Sequence, residues 1–224
     1  MIINGKARQG RLLLSLMFLL LVSAFTAEAA GGLRISNRYS PLNRYRSSRG
    51  STDFIILHTT EGGDAGSLNR IRRRGLAHYV VMRDGRVHRV IKRNKIALHA
   101  GRSMWDGVRN LDRRSIGIEV VGYHDKPVTD RQVASLKELL RQLQKIYNVP
   151  DERVLTHSMV AYGRPNRWHK HDHRGRKRCG MQFADPALRR RLGLEKRPSY
   201  DPDVRAGRLI EADAYLARML YRPD

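Results

Sequence analysis

The chain has 224 residues, which is enough for one well-packed domain with tails and too short for two large domains. It carries 44 Lys and Arg residues against 21 Asp and Glu residues, a formal net charge of +23, so its surface attracts polyanions. Cys179 is the only cysteine, which excludes a disulfide within the chain. Its thiol is therefore free, part of an intermolecular bridge, or a metal ligand.

The first residues have the order of a secretory signal peptide. Three basic residues precede an apolar stretch, and Ala27-Glu28-Ala29 places small residues at the −3 and −1 positions of a cleavage site. We predict a signal peptide over residues 1–29 and an exported protein, periplasmic or extracellular. The chain would then meet the membrane only through this segment. An uncleaved membrane anchor is the alternative.

Export changes which polyanion the basic charge predicts. Nucleic acid is the usual partner of such a charge, but it is disfavoured for an exported protein. Outside the cytoplasm the abundant anions belong to cell-wall polymers and lipid head groups, so we expect attraction to an anionic cell-envelope surface. A solvated surface without a partner is the alternative interpretation.

The next segments predict an arm followed by the first elements of a domain. Residues 30–52 are rich in Arg, Ser, Asn and Gly without apolar periodicity, which indicates a basic extended arm or linker. A short apolar run then ends at His58, as in a buried strand. The composition of residues 65–74 favours a basic helix, and residues 78–91 read as a hairpin around Asp84-Gly85.

The second half of the domain repeats this alternation of strands and helices. Residues 115–121 predict a strand, and a helix capped by Thr129 follows, with an apolar face at helical spacing. Further along, the patterns predict a short strand at 154–157, a polar loop at 161–180, and helices at 185–193 and 207–220. We therefore predict an α/β fold, with a central mixed β-sheet flanked by helices in a single domain over 53–195, and a C-terminal tail with a helix over 196–224.

The residue types allow a metal site. A catalytic zinc ion takes three protein ligands from His, Cys and carboxylate side chains and leaves a fourth position open. His58 and His157 each close an apolar run, and Cys179 is the unpaired thiol. The spacing of this dispersed set is weak evidence alone, since a histidine at a strand end is more often a hydrogen-bonded edge residue.

The surrounding motifs carry a resemblance. In order, they are Ile56-Leu57-His58-Thr59-Thr60, Ala77-His78-Tyr79-Val80-Val81-Met82-Arg83-Asp84-Gly85, His99-Ala100-Gly101, Ser115-Ile116-Gly117-Ile118-Glu119, Thr156-His157-Ser158 and Lys177-Arg178-Cys179-Gly180. Together they resemble the type 2 N-acetylmuramoyl-L-alanine amidases, a family that includes the peptidoglycan recognition proteins and phage T7 lysozyme. The resemblance implies the amidase fold, peptidoglycan or muropeptides as partners, and cleavage of the amide between N-acetylmuramic acid and L-Ala.

The resemblance also implies roles for five residues. His58, His157 and Cys179 match the zinc ligands, and Glu119 and Lys177 match the catalytic residues. Some relatives carry a catalytic tyrosine where this chain has an alanine, which leaves proton transfer to the glutamate. A structural ion pair is the alternative for Glu119, and a solvated charge run for Lys177.

Two further residues are expected to bind substrate. His99 resembles a position that lines the substrate groove, with a structural role as the alternative. Trp168 lies in a His-rich stretch that lengthens the gap before Cys179, and we interpret this stretch as a loop over the groove. A residue of the stretch, His171 or Asp172, could instead supply the third metal ligand.

Two other functions compete with a zinc amidase. A non-catalytic peptidoglycan-binding module would keep the fold and the groove but lose the metal, and a nucleic-acid-binding protein would rest on charge alone. Retention of Cys179 and Lys177 favours catalysis. We expect the protein to be a monomer.

Overall fold

The computed structural model describes residues 32–222, so the signal peptide predicted over 1–29 lies outside the described residues. The residues from Ile35 onwards form one compact unit built on a central sheet. Its strands are β1 (Ile35–Asn37), β2 (Phe54–Thr59), β3 (Tyr79–Val81), β4 (Val87–Arg89), β7 (Ser115–Val120) and β8 (Val154–Thr156). Shorter strands are β5 (Met104–Trp105), β6 (Val108–Arg109), β9 (His173–Arg174) and β10 (Ile210–Glu211).

The helices connect and flank these strands. They are α1 (Asp64–Arg74), α2 (Asp130–Tyr147), α3 (His157–Val160), α4 (Pro186–Arg191), α5 (Pro202–Arg205) and α6 (Ala214–Tyr221). Short 3₁₀ turns occur at Pro41–Tyr45, Leu111–Arg113, Asp151–Arg153 and Met181–Ala184. Between residues 32 and 222, no helix combines the length and apolar character that crossing a membrane requires.

The central sheet is mixed, as predicted. Its strand order is β1-β4-β3-β7-β2-β8, and every neighbouring pair is parallel except the β3–β4 hairpin. The central strand β2 is buried along its whole length, on both faces of the sheet. Buried strands of this kind read as continuous apolar runs, which is the pattern that precedes His58. The predicted α/β class, with a central mixed sheet flanked by helices in a single domain, is confirmed.

The longest helix begins and ends where the sequence indicates. Thr129 accepts a hydrogen bond from the backbone N–H of Gln132, and the Gln132 side chain accepts one from the backbone N–H of Thr129, which completes a capping box. At the other end, Asn148 adopts the left-handed conformation that closes many helices. The Gln132 amide also donates to the backbone carbonyl of Val121, which joins this helix to the end of β7.

The segment predicted as an extended arm or linker over 30–52 is part of the domain from Ile35 onwards. Strand β1 pairs in parallel with β4 at the sheet edge. Further along, the Arg49 guanidinium donates to the Lys95 carbonyl at 2.8 Å and lies 2.9 Å from Nε2 of the buried His78. The sequence missed this packing because both contacts join segments that are far apart in the chain.

The tail predicted over 196–224 also packs on the domain. Leu216 and Leu220 of α6 share a core cluster with Phe54 and Ile56 of β2. The helix predicted over 207–220 begins later than expected, at Ala214, since residues 210–211 pair as a strand with β9 and Asp213 caps the helix.

A buried ion-pair network fixes this tail to the loop before Cys179. Arg174 is buried and donates to Asp201 at 2.5 Å and to Asp203 at 3.2 Å, and both carboxylates are also buried. Asp203 additionally accepts hydrogen bonds from Arg208 and from the backbone N–H of Gly107. Charges buried in this way require partners, so the network holds β9 and the tail in one arrangement.

Candidate metal centre and active site

The carboxyl ends of three neighbouring parallel strands bring the first site residues together. In the β2–β7 pair, His58 is the register partner of Glu119, so both side chains project from the same face of the sheet. In the β2–β8 pair, Leu57 is opposite Thr156, and His157 follows directly as the first residue of α3. Ligand sites of open α/β sheets lie at this edge.

His58, His157 and Cys179 form one cluster. The nitrogen and sulfur atoms that they offer lie within 4.8 Å of one another. Nδ1 of His58 lies 3.8 Å from Sγ of Cys179, and the two imidazole rings are 4.5 Å apart between centroids. His58 is buried, while the other two residues keep some exposed surface.

Zinc fits this set of donors. Two imidazoles and a thiolate are its preferred ligands, and bonds of roughly 2.0–2.3 Å require donor atoms a few ångström apart. Burial lowers the pKa of His58 well below its usual value, and burial together with the Lys177 charge lowers that of His157 to about 4. Both imidazoles are therefore neutral near pH 7 and can donate a lone pair.

The environment of the Cys179 thiol disfavours its ionised form. Burial, and then the nearby Glu119 charge, raise the pKa of this thiol to about 12, so a thiolate is unfavourable here without a compensating positive charge. A divalent ion would supply that charge and displace the proton.

Strand β2 holds Cys179 in place. The backbone N–H of Thr59 donates to Sγ at 3.4 Å, and the Thr59 hydroxyl accepts a hydrogen bond from the backbone N–H of Gly180 at 2.9 Å. Gly180 has φ +74°, and a Cβ there would lie 2.5 Å from the Leu57 carbonyl oxygen. A glycine is therefore required directly after the cysteine.

The alternative third ligands lie elsewhere. His171 is exposed, and Asp172 lies 3.7 Å from Arg109. Within residues 32–222, the group of three metal-binding side chains contains Cys179 and neither of these two. The long loop accommodates the extra residues and still brings the cysteine to the cluster.

Glu119 has the properties of a proton-transfer group. Its Oε2 is buried and has no hydrogen-bond partner in the described part of the chain. Burial raises its pKa to about 8, with the Glu61 carboxylate adding to the rise and Arg70 opposing it. An unpartnered carboxyl group whose pKa is near the working pH can both take up and release a proton.

Lys177 and Trp168 lie at the surface. Lys177 is exposed, and its charge acts on His157, which places it electrostatically at the cluster. Trp168 is 70% exposed and stacks with the Arg167 guanidinium at 3.9 Å from its ring centroid. The contacts described for this tryptophan are local to its loop, so its role in substrate binding stays a prediction.

His99 does not line the groove as predicted. Its side chain has no exposed surface, and its Nδ1 lies 3.0 Å from Nε2 of His58. On its far side, Nε2 lies 3.2 Å from the hydroxyl of Ser115. The ring therefore lies behind the group formed by His58, His157 and Cys179, where it contacts His58 and no solvent.

Sequence reasoning missed the residues that hold this histidine. Asp112 accepts hydrogen bonds from the backbone N–H groups of His99 and Ala100, at 2.8 and 2.7 Å. The His-Ala-Gly motif and the small residues Ser115 and Gly117 on β7 were the available signals. Small residues at alternate positions of a buried strand indicate that something bulky lies against that face.

Comparison with known proteins agrees with this geometry. The family model described as N-acetylmuramoyl-L-alanine amidase (Amidase_2) matches residues 48–179, more than half of the chain, and the match ends on Cys179. The chain belongs to the type 2 N-acetylmuramoyl-L-alanine amidase family. The family resemblance predicted from the motifs is therefore confirmed.

Individual amidases are more distant. The 1,6-anhydro-N-acetylmuramyl-L-alanine amidase AmpD of Haemophilus influenzae is 35% identical over 86 residues, which cover 38% of this chain and 47% of the relative. The chain thus spans about half the length of the curated relatives it matches.

Solved amidase structures share the fold. LysC from Clostridium intestinale has a TM-score of 0.55 at 20% identity, with 72% of this chain and 98% of that chain covered. AMPDH3 from Pseudomonas aeruginosa, in complex with anhydromuramic pentapeptide, has a TM-score of 0.50 at 24% identity, with 74% and 69% covered. At such identities the likeness shows the fold alone.

Proposed function

We propose that this protein is a zinc-dependent amidase that hydrolyses the bond between N-acetylmuramic acid and the L-Ala of the stem peptide. The observation that carries the proposal is the convergence of His58, His157 and Cys179 within 4.8 Å, beside Glu119, whose buried Oε2 has no hydrogen-bond partner within residues 32–222. His58, His157 and Cys179 would hold the metal. The chemistry that zinc supplies when bound is Lewis acidity, which polarises a carbonyl group and makes water more acidic.

Glu119 would move the proton. Its Oε2 would take a proton from the attacking water and deliver it to the leaving amine nitrogen, which must be protonated to depart. The raised pKa suits this double role because the carboxyl group holds the proton long enough to pass it on. Register with His58 keeps this carboxyl group beside the metal ligands.

Lys177 would stabilise the negative charge that develops on the substrate carbonyl oxygen. Its side chain is exposed, and its charge acts on His157. Because a lysine acts as a point charge on a flexible stem, it can follow the oxygen as the carbonyl carbon becomes tetrahedral.

The names of the relatives support the substrate class. AmpD is a 1,6-anhydro-N-acetylmuramyl-L-alanine amidase, and AMPDH3 binds an anhydromuramic pentapeptide. We propose that this chain acts on muropeptides or on peptidoglycan with the same amide bond.

Digestion with the full chain tests the function. Zinc-loaded protein is incubated with intact sacculi and, separately, with 1,6-anhydromuropeptides, and released stem peptide is measured by liquid chromatography and mass spectrometry. We expect release from at least one substrate, loss of release on chelation, and recovery when zinc is restored.

Two variants sharpen the result. Glu119→Gln should abolish release while zinc content stays stoichiometric, and Glu138→Gln, on the surface of α2, should leave release unchanged. A zinc-loaded wild type that releases no peptide contradicts the amidase function. Retention on sacculi without metal or peptide release would instead identify a non-catalytic binding module.

We also propose that the protein works outside the cytoplasm, as the order of charge, apolar stretch and small residues at its N-terminus predicts. Its basic surface would then hold it on anionic cell-envelope polymers. Cell fractionation with N-terminal sequencing tests this proposal, and a mature N-terminus near residue 30 is expected. Retention on sacculi that does not weaken as salt rises would contradict the electrostatic part.

A further inference from the structure

We infer that His99 is a positioning residue for the metal site, because it fixes which nitrogen of His58 faces the metal. The inference rests on the proposed zinc function. It assigns His99 a role through His58 and none in substrate contact.

A chain of three hydrogen bonds runs from the cluster into the core. Nε2 of His58 lies 3.0 Å from Nδ1 of His99, and Nε2 of His99 lies 3.2 Å from Oγ of Ser115. The Ser115 hydroxyl lies 2.5 Å from the carbonyl oxygen of Leu111. All four residues are buried, so water does not compete for these groups.

The Leu111 carbonyl, at the end of this series of hydrogen bonds, determines which atom is the donor in each of them. A backbone carbonyl can only accept a hydrogen bond, so the Ser115 proton points to Leu111. The Ser115 oxygen can then accept only from a protonated Nε2 of His99, which leaves Nδ1 of His99 as an acceptor for the Nε2–H of His58. Nδ1 of His58 is consequently left with its lone pair free, 3.8 Å from Sγ of Cys179.

Among the residues that the structure describes, no charged side chain lies within hydrogen-bonding distance of the His58, His99 and Ser115 atoms that form this series. The Asp112 carboxylate lies 4.0 Å from Nε2 of His99 and is occupied by the backbone N–H groups of His99 and Ala100. The His78 ring is 5.8 Å from the His99 ring between centroids, and His78 bonds to Gly117 N–H and the Lys95 carbonyl.

The missing side chain at Gly117 leaves the space that the His99 ring occupies. A Cβ at this position would lie 2.4 Å from Cγ of His99, which is closer than two carbon atoms can approach. Strand β7 therefore provides the space for the His99 ring at Gly117, the hydrogen-bond acceptor at Ser115, and the proposed proton-transfer group at Glu119. This arrangement ties the orientation of a metal ligand to the strand that carries the glutamate.

Loss of His99 would leave the His58 ring free to change tautomer and to turn. Loss of such an outer partner typically weakens metal binding by 10–100-fold. His99→Leu removes the acceptor, and we expect its zinc Kd to rise by about 10–100-fold. His99→Asn places an amide oxygen near the position of Nδ1 and should restore the Kd to within about threefold of the wild type.

The control is His88→Leu, which removes another buried histidine of the same sheet, on β4. Its zinc Kd should equal that of the wild type. Affinities are measured on the full chain by competition with a chelator of known zinc affinity. An unchanged Kd in a folded His99→Leu variant overturns the positioning role.

A second measurement needs no metal, and its main result is obtained on the wild type. Nitrogen-15 NMR of the metal-free full chain, labelled at histidine, reports which ring nitrogen of His58 carries the proton. The structure predicts protonated Nε2 and unprotonated Nδ1, and Ser115→Ala should mix the two forms. A proton on Nδ1 of His58 in the wild type overturns the inference, as does an unaltered tautomer in Ser115→Ala.

The outcomes separate this inference from the proposed function. A wild type that takes up no zinc contradicts the proposed function, even where His58 shows the expected tautomer. Zinc uptake that is equally tight in the wild type and in His99→Leu contradicts the positioning role and leaves the amidase function standing.

Discussion

The two halves of the candidate site are held in different ways. His58 and Glu119, the sheet half, lie on adjacent central strands whose neighbours on both sides fix their backbones. Lys177 and Cys179, the loop half, lie on a long connection that is tied down by Thr59 and by the buried charges of the tail. The sheet half is thus positioned by the pairing of its strands, and the loop half by hydrogen bonds to β2 and by buried ion pairs.

The largest expected effect is on zinc binding, and it is compared between one variant in each half of the site. His58→Ala removes a proposed zinc ligand from the sheet half. The zinc Kd should rise by more than about 100-fold, which is more than the rise expected when a hydrogen-bond partner of a ligand is lost. Cys179→Asp offers a carboxylate oxygen, also a type of zinc ligand, from the loop half and should stay within about tenfold of the wild type. Chelator competition measures both, and equal losses would contradict the comparison.

The next effect tests the anchor of the loop half. Asp203→Ala leaves the buried Arg174 with Asp201 as its remaining carboxylate partner, and the loss of one buried charged partner should cost more than about 2 kcal/mol in the free energy of unfolding. Asp130→Ala breaks the exposed pair with Arg191 and should cost less than about 1 kcal/mol. Chemical denaturation compares the two, and similar losses would show that the buried network is not the anchor.

Burial of the Glu119 carboxylate in the sheet half costs free energy, so the stability of the folded protein depends on pH. Glu119 has a pKa of about 8 in the folded protein and an ordinary value of 4.5. Between these values the unfolded chain is ionised while the folded chain keeps its proton, so stability falls as pH rises from about 4.5 to 8.

Removal of this titration should therefore stabilise the metal-free protein at high pH. We expect Glu119→Gln to unfold at the same denaturant concentration as the wild type near pH 4.5, and to gain up to about 4 kcal/mol by pH 8. Denaturation of chelated protein across this range measures the difference. A gain that does not change with pH would show that burial of this carboxyl group is not costly.

The smallest effect tests the junction between the halves. Gly180→Ala combines a positive φ with a Cβ 2.5 Å from the Leu57 carbonyl oxygen, and should cost more than about 2 kcal/mol of stability. Gly207→Ala has a similar φ with open space around it, and should cost only about 1 kcal/mol. Thermal unfolding distinguishes the two variants. Equal shifts in Tm would show that the structure relaxes around the added Cβ at position 180 without extra cost.

Local patterns predicted the strands and the helix around the sheet half well. The apolar run before His58, the hairpin around Asp84-Gly85 and the cap at Thr129 are signals contained in a few consecutive residues, and the structure places strands and a helix there. Such signals reflect local burial and capping, which a sequence shows directly.

Long-range packing was not predictable in the same way. The strand at Ile35–Asn37 is short and polar in part, and only its pairing with β4 makes it a strand. The burial of His99 depends on a missing side chain at Gly117, on another strand. Cys179 was predicted from its residue type, while its convergence with the histidines depends on a loop whose path no local pattern gives.

The core cluster shared by α6 and β2 affects how the protein can diverge from its relatives. The stretch that matches the family ends at Cys179, yet Leu216 and Leu220 fill the core beside Phe54 and Ile56. A chimera that joined this amidase region to the tail of a relative would lose shape complementarity at the strand that carries His58. We therefore expect substitutions in the tail to be accompanied by changes elsewhere in this cluster, so that the tail and the site change together.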